Sequence, residues 1–143
     1  MKKCLPFLIF ALCLAMLCAV LAFDRKGPLE KYILQHEKDI AKEQAGPHNG
    51  GGRTVSYPFF EGTEGFDMAF RKRILKPGSA IGYHLQKEDE VYYILEGTGV
   101  MQMNGDSFQI RAGDAILTRP GSSHGLRPEG NNDLTLLIAY RLK

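Results

Sequence analysis

Gly78-Ser79-Ala80-Ile81-Gly82-Tyr83-His84-Leu85-Gln86-Lys87-Glu88-Asp89-Glu90-Val91-Tyr92-Tyr93-Ile94-Leu95-Glu96-Gly97 is the stretch that decides how this chain reads. Its first half alternates, which is the period of a β-strand. His84 and Gln86 are two apart and leave the same face of that strand. The polar turn Lys87-Glu88-Asp89 leads to Glu90, which opens a second strand. Folded back, that strand brings Glu90 to His84 and Gln86, so one nitrogen and two oxygen donors converge. His124, in Pro120-Gly121-Ser122-Ser123-His124, offers a fourth donor from a later strand. Such a mixed set suits a divalent metal ion such as Zn, Mn, Fe, Ni or Co. Gln86 has a neutral amide, a poorer donor than imidazole. It reads either as the fourth ligand or as a hydrogen-bond partner of a bound molecule or water.

These residues also carry a family resemblance. Gly78, His84, Glu90 and Gly97 fit, gap for gap, a motif of Gly, five residues, His-x-His, three or four residues, Glu, six residues and Gly. Gly113, Asp114, Pro120, Gly121 and His124 fit a second motif that runs from Gly-Asp through a Pro-Gly turn to a His. With both motifs in register the chain resembles a small single-domain cupin from about Arg53 to Lys143. The resemblance implies an all-β double-stranded β-helix, a jelly-roll barrel, around one divalent metal at His84, Gln86, Glu90 and His124. It departs from the family pattern at Gln86, where a second His is usual. It departs also at Arg119, where a Pro is common, and at Pro128, where an Asn is common.

Outward from the motif, the start of the chain reads as a secretory signal. Lys2 and Lys3 precede an apolar run from Leu5 to Leu21, and Val20 and Ala22 are small residues placed for cleavage before Phe23. Cleavage after residue 22 makes the protein secreted or periplasmic with no membrane attachment; a retained anchor is the alternative, since the run nearly spans a bilayer. Cys4, Cys13 and Cys18 all lie inside this segment, so the mature chain has neither disulfides nor a thiol nucleophile. Cleavage also removes two lysines and no acid, which brings the 18 basic residues level with the 16 acidic ones. A formally neutral chain gives no reason to expect nucleic acid as a partner. What remains of the 143 residues suffices for one domain with a sizeable core.

Residues 23–52 read as an N-terminal arm. Leu29, Ile33, His36 and Ile40 lie on one helical stripe, which predicts a helix over Pro28 to Gln44 ended by Gly46-Pro47. Pro47-His48-Asn49-Gly50-Gly51-Gly52 reads as a flexible linker, with His48 outside the site. From Arg53 the domain is all β. Apolar runs at 55–60, 66–75, 80–86, 91–95, 100–103, 108–111, 115–118 and 134–142 are separated by turn signals, and Asn104-Gly105 predicts a tight hairpin. Val55 to Phe60 is the strand that a second copy would cover in an expected homodimer.

Strand parity then outlines a pocket. If Glu90 points inward, so do Tyr92 and Ile94, while Val91 and Tyr93 point away. Gly82 points in beside His84 and keeps the floor open, and Leu126 follows His124. Tyr92 is a proton-donor candidate or a packed aromatic. Arg71 and Arg73 share a face opposite Lys72 and read either as a clamp for a substrate carboxylate or as a solvated face. Met101 and Met103 read as barrel filling. The expected ligand is a small molecule. Three functions follow: metal-assisted non-oxidative chemistry on a sugar or uronate (isomerase, lyase, cyclase or ring opening); a non-catalytic carbohydrate or small-molecule binding module; and a metal-dependent dioxygenase. The last is disfavoured by the loss of one imidazole at Gln86.

Overall fold

The short β-rich runs build two sheets. A computed structural model describes residues 30–143. The chain divides into two units, residues 1–32 and 33–143. Of the first, only residues 30–32 are described, and they form neither helix nor strand. The expected signal, residues 1–22, lies outside the described residues. Among those described, no helix is long and apolar enough to cross a membrane.

Among the described residues ten strands run in chain order: β1 (Lys42–Gly46), β2 (Gly51–Phe59), β3 (Met68–Leu75), β4 (Ile81–Leu85), β5 (Glu90–Glu96), β6 (Thr98–Met103), β7 (Asp106–Arg111), β8 (Ala115–Thr118), β9 (Ser123–Pro128) and β10 (Leu134–Arg141). One sheet has the order β1-β2-β3-β10-β5-β8 and the other β4-β9-β6-β7. All the pairings are antiparallel. The two sheets close over one core of Leu75, Ile81, Tyr92, Ile94, Met101, Ile110, Leu126, Leu134, Leu136 and Ile138. This is the expected jelly-roll barrel. Strand alternation sets which residues fill it: along β5 burial falls on Glu90, Tyr92 and Ile94 and exposure on Val91 and Tyr93. Met101 is fully buried and Met103 packs against the same core. Asn104 and Gly105 take positive φ angles of 51° and 94° and close the β6–β7 hairpin between the partners Met103 and Asp106, as the dipeptide predicts.

The N-terminal stretch differs from its expectation. Over the described part of 28–44 only Glu37–Ile40 is helical, capped by the His36 Nδ1 atom, which accepts from the Lys38 amide at 3.2 Å. The thin apolar stripe is too short of partners to hold more turns, because isolated helices need tertiary burial. The sheet starts at Lys42, inside the stretch read as a separate arm, because β1 pairs with β2 from Lys42↔Ser56 to Gly46↔Gly51.

β2 also inverts the usual pattern. Thr54, Ser56 and Pro58 are buried, and Val55, Tyr57 and Phe59 are half-buried on the opposite face. The helical turn packs on this strand, and the Phe60 amide donates to Gln35 Oε1 at 2.7 Å. β2 is therefore flanked by β1 and β3, and the helical turn of its own chain packs on it.

The buried hydroxyls answer a buried cation. Arg71 and Arg73 do share the inward face of β3, and Arg73 is 2% exposed. Arg73 donates to Thr54 Oγ1 at 2.9 Å and to Ser56 Oγ at 3.4 Å. Gln44, in the amide orientation that satisfies both groups, accepts from both Arg73 terminal nitrogens at 2.9 Å. Burial, and then the neighbouring Arg71, lower the Arg73 pKa from its ordinary value. A guanidinium stays charged regardless.

Candidate metal centre

His84 comes from β4, Glu90 from the first position of β5 and His124 from β9. β4 pairs with β9, with His84 opposite His124. β5 belongs to the other sheet. The polar turn after Gln86 therefore carries the chain from one sheet to the other, and Glu90 meets His84 across the barrel interior instead of within a hairpin. β4 carries a bulge: Ile81 opposes Leu126 and His84 opposes His124, so Gly82 and Tyr83 on β4 face Gly125 alone on β9. The extra residue lets both Ile81 and His84 turn inward, the re-aiming that bulges beside functional sites perform.

One atom from each of His84, Glu90 and His124 lies within 4.8 Å of the others. The His84 and His124 rings are 4.4 Å apart at 57°. His84 Nδ1 lies 2.8 Å from the Gly82 carbonyl. The tautomer that donates there leaves Nε2 bare, the arrangement that orients a metal-binding imidazole. His124 Nε2 lies 3.4 Å from Glu90 Oε2 and 2.9 Å from the Tyr92 hydroxyl. Glu90 Oε2 and His124 Nδ1 are buried without a hydrogen-bond partner. A buried carboxylate oxygen left bare costs several kcal/mol if nothing satisfies it, on the order of 1–3 or more. A divalent cation held by this oxygen and two imidazoles would satisfy it, and two imidazoles with one carboxylate are a donor set for that class of ion. The residues present thus fit a metal.

Gln86 is also in place. It is 6% exposed and lines the same cleft as His84 and Glu90. Its amide nitrogen donates to the Glu88 carbonyl at 2.8 Å, and the amide oxygen is the atom that could bind a metal. The cleft holds about 330 Å³ and is lined by His48, His84, Gln86, Glu90 and Tyr140 among others. That volume suits a small ligand, at the lower end of the range of small-molecule sites.

Tyr92 lies behind His124 in the core and does not line the cleft. Burial, with the Glu90 carboxylate beside it, raises its pKa well above the ordinary phenol value, so the hydroxyl keeps its proton. Arg71 reaches the Tyr140 hydroxyl at 3.4 Å, and Arg73 is spent on β1 and β2; neither lines the cleft. Gly82 does not leave an open floor. A Cβ on it would stand 1.9 Å from the His48 carbonyl oxygen, so its bare backbone is a seat for the chain at 47–48.

His48 is the site residue that sequence reasoning set aside. Its ring stacks on His84 at 3.5 Å between centroids and 3° between planes. Burial, followed by the His84 charge, lowers its pKa from the ordinary value. The segment read as a linker is the β1–β2 turn, Pro47–Gly50. Its central residues are His48 and Asn49, both at positive φ, so the Asn-Gly dipeptide falls one place later than in the Asn104-Gly105 hairpin and does not mark the centre of this turn.

With the barrel and the cluster in view, the comparisons define the class. The cupin-domain family model matches residues 72–140. A solved structure from Thermotoga maritima, described as a predicted oxalate decarboxylase, is 31% identical with a TM-score of 0.68, over 78% of this chain and 100% of that one. The chain belongs to the cupin family.

Among curated proteins it is similar to an oxalate-binding protein of Thermotoga maritima, 45% identical over 74 residues, which are 51% of this chain and 61% of the relative. A protein of Methanocaldococcus jannaschii with no ascribed activity is 32% identical over 75 residues, 52% of this chain and 60% of the relative. The match thus spans about three fifths of each curated relative. The polyketide cyclase RemF from Streptomyces resistomycificus shares the fold at a TM-score of 0.68 and 19% identity, covering 78% of this chain and 80% of that one.

Proposed function

We propose that this protein is a secreted cupin that holds one divalent metal ion with His84, Glu90, His124 and the Gln86 amide oxygen, and binds a small carboxylate of the oxalate class on it. The observation that carries the reading is the charge balance of the barrel. Glu90 is the one buried carboxylate among the described residues, and it faces two imidazoles, with the buried Arg73 deeper in the barrel making no ion pair among the described residues. One carboxylate under a divalent ion and a buried guanidinium leaves the interior cationic, which favours an anionic ligand. The oxalate-binding relative supports the same class of ligand. The export part rests on the sequence pattern of residues 1–22.

The metal, when bound, would supply a Lewis acid that polarises a carboxylate or carbonyl oxygen. The chain's own residues do the rest. The bond from His84 to the Gly82 carbonyl fixes that ring, the Tyr92 hydroxyl holds His124, and the packed walls around Tyr140 keep the cleft small.

The test is elemental analysis of the purified mature protein followed by titration with oxalate, a neutral sugar and a uronate. One bound metal with preference for oxalate supports the reading. A metal-free protein with no carboxylate affinity overturns it. Conversion of a uronate selects the enzyme, and oxygen uptake selects the dioxygenase. A homodimer is proposed on a different face from β2. Val91, Tyr93 and Leu95 of β5 and Leu117 of β8 are each exposed by more than two fifths and lie on the outer face of those strands. Light scattering that returns the mass of a single chain at micromolar concentration overturns the dimer.

A further inference from the structure

The turn that carries His48 is held more tightly than a connection requires. His48 and Asn49 have φ angles of 54° and 61°, and the Gly50 amide donates to the Pro47 carbonyl at 3.1 Å. This is the mirror-image tight turn whose central positions favour Asn and Gly. Asn49 suits its place. An imidazole at positive φ is strained, and Asn or Gly would close the same turn at lower cost. The Gly82 amide donates to the same Pro47 carbonyl at 2.9 Å. Added Cβ atoms on Gly46 and on Gly50 would each stand 2.0 Å from the Ala80 carbonyl oxygen. Backbone therefore presses on backbone along β4, and the turn has one seat. That seat puts the His48 ring flat on His84, at the mouth of the cleft, exposed on its other side.

The stack decides what His48 does there. An imidazole nitrogen offers its lone pair in the plane of the ring. Two rings that are 3.5 Å apart and parallel to within 3° cannot both aim those lone pairs at one ion. With His84 as the ligand, His48 stands beside the metal and not on it. A neutral imidazole there presents one N–H donor and one acceptor to the cleft. The amide nitrogen of Gln86 spends one of its two hydrogens on the Glu88 carbonyl, and the His48 ring adds a further donor at the cleft.

We propose that His48 is a specificity-determining residue of the centre: from the strained β1–β2 turn it hydrogen-bonds the carboxylate of the ligand held at His84, Glu90 and His124. The inference rests on the carboxylate reading above and goes further by assigning a contact from outside both sequence motifs. Its consequence is that the ligand is held by the metal on one side and by the N-terminal hairpin on the other.

Two variants test it. His48→Gly removes the ring and relieves the strained turn, and His48→Asn keeps a residue suited to positive φ. Oxalate is titrated into the metal-loaded full-length mature protein, the parent beside each variant, with metal stoichiometry and melting temperature measured on the same samples. Both variants are expected to keep one metal per chain and a melting temperature equal to or above the parent's. They are expected to bind oxalate about tenfold more weakly or worse, the effect of a lost hydrogen bond to a charged group. Parent-like oxalate affinity in both variants overturns the proposal and leaves the metal–carboxylate reading standing. Metal lost as severely as in His84→Ala also overturns it and makes His48 a ligand. A lower melting temperature with unchanged affinity overturns it in favour of packing alone. A metal-loaded parent that binds no carboxylate removes the carboxylate reading and this inference together.

Discussion

Two connections meet at the cleft, and they hold their histidines by different means. The polar turn after Gln86 crosses from one sheet to the other, and the residues on either side of it, His84 and Glu90, are fixed by the ladders of β4 with β9 and of β5 with β8 and β10. The Pro47–Gly50 turn stays within one sheet, and His48 is fixed by a strained backbone pressed against bare glycines. A ladder places side chains by register, and a register slip moves them all to the other face. A packed turn places one ring by contact, so a single methyl group can displace it. The barrel thus gives the candidate metal donors the rigid positions and leaves the mouth of the cleft to a piece that a small change can dislodge.

The largest expected effect breaks the ladder side. His84→Ala, His124→Ala and Glu90→Ala should each lower metal affinity by more than about a hundredfold, since even the outer partners of metal ligands are worth ten- to a hundredfold. Metal stoichiometry after dialysis reads this directly. Three variants that all retain the metal would remove the centre from this protein.

The next breaks the turn side. Gly82→Ala puts a Cβ 1.9 Å from the His48 carbonyl oxygen, with backbone and no flexible side chain to give way. We expect a loss of about 3 kcal/mol, at the upper end of ordinary overpacking, and a melting temperature lower by roughly 10 °C. An unchanged thermal melt would show that the turn is not seated on β4.

Gln86 sharpens the comparison, because it sits on the ladder side with a weak donor. Gln86→Ala should reduce metal affinity measurably but less than loss of an imidazole, and Gln86→His should equal or exceed the parent. A competition titration with a chelator ranks the set. Gln86→Ala with parent affinity would make Gln86 a contact of the ligand or a bystander.

The smallest effect is on pH. The His48 pKa lies below its ordinary value of 6.5, through burial and then the His84 charge. As pH falls through that ordinary value, the unfolded chain takes up a proton that the folded chain still refuses, so stability declines. The His48→Gly variant should show a slightly flatter loss of stability below pH 6.5, read by denaturant unfolding of the metal-free protein across pH. Identical slopes in the two proteins would remove the effect.

What the amino-acid sequence determined by itself is what is local or periodic. Alternation along Glu90 to Ile94 set their inward and outward faces, Asn104-Gly105 set a hairpin, and two spaced motifs brought His84, Glu90 and His124 together. Gln86 stood out because one motif position departs from its pattern. Other features needed the assembled sheets. The polar inner face of β2 follows from the Arg73 guanidinium, which takes Thr54 and Ser56 as partners 19 and 17 residues away. The helix expected over 28–44 shrank to Glu37–Ile40, because helical stability depends on a packed face that the sequence window does not contain. His48 reaches the centre through a contact between residues 47–48 and Gly82, a separation that no local pattern encodes. Register and turn chemistry are written in neighbours along the chain, whereas close backbone approach is decided only when two distant segments compete for the space left by a missing Cβ.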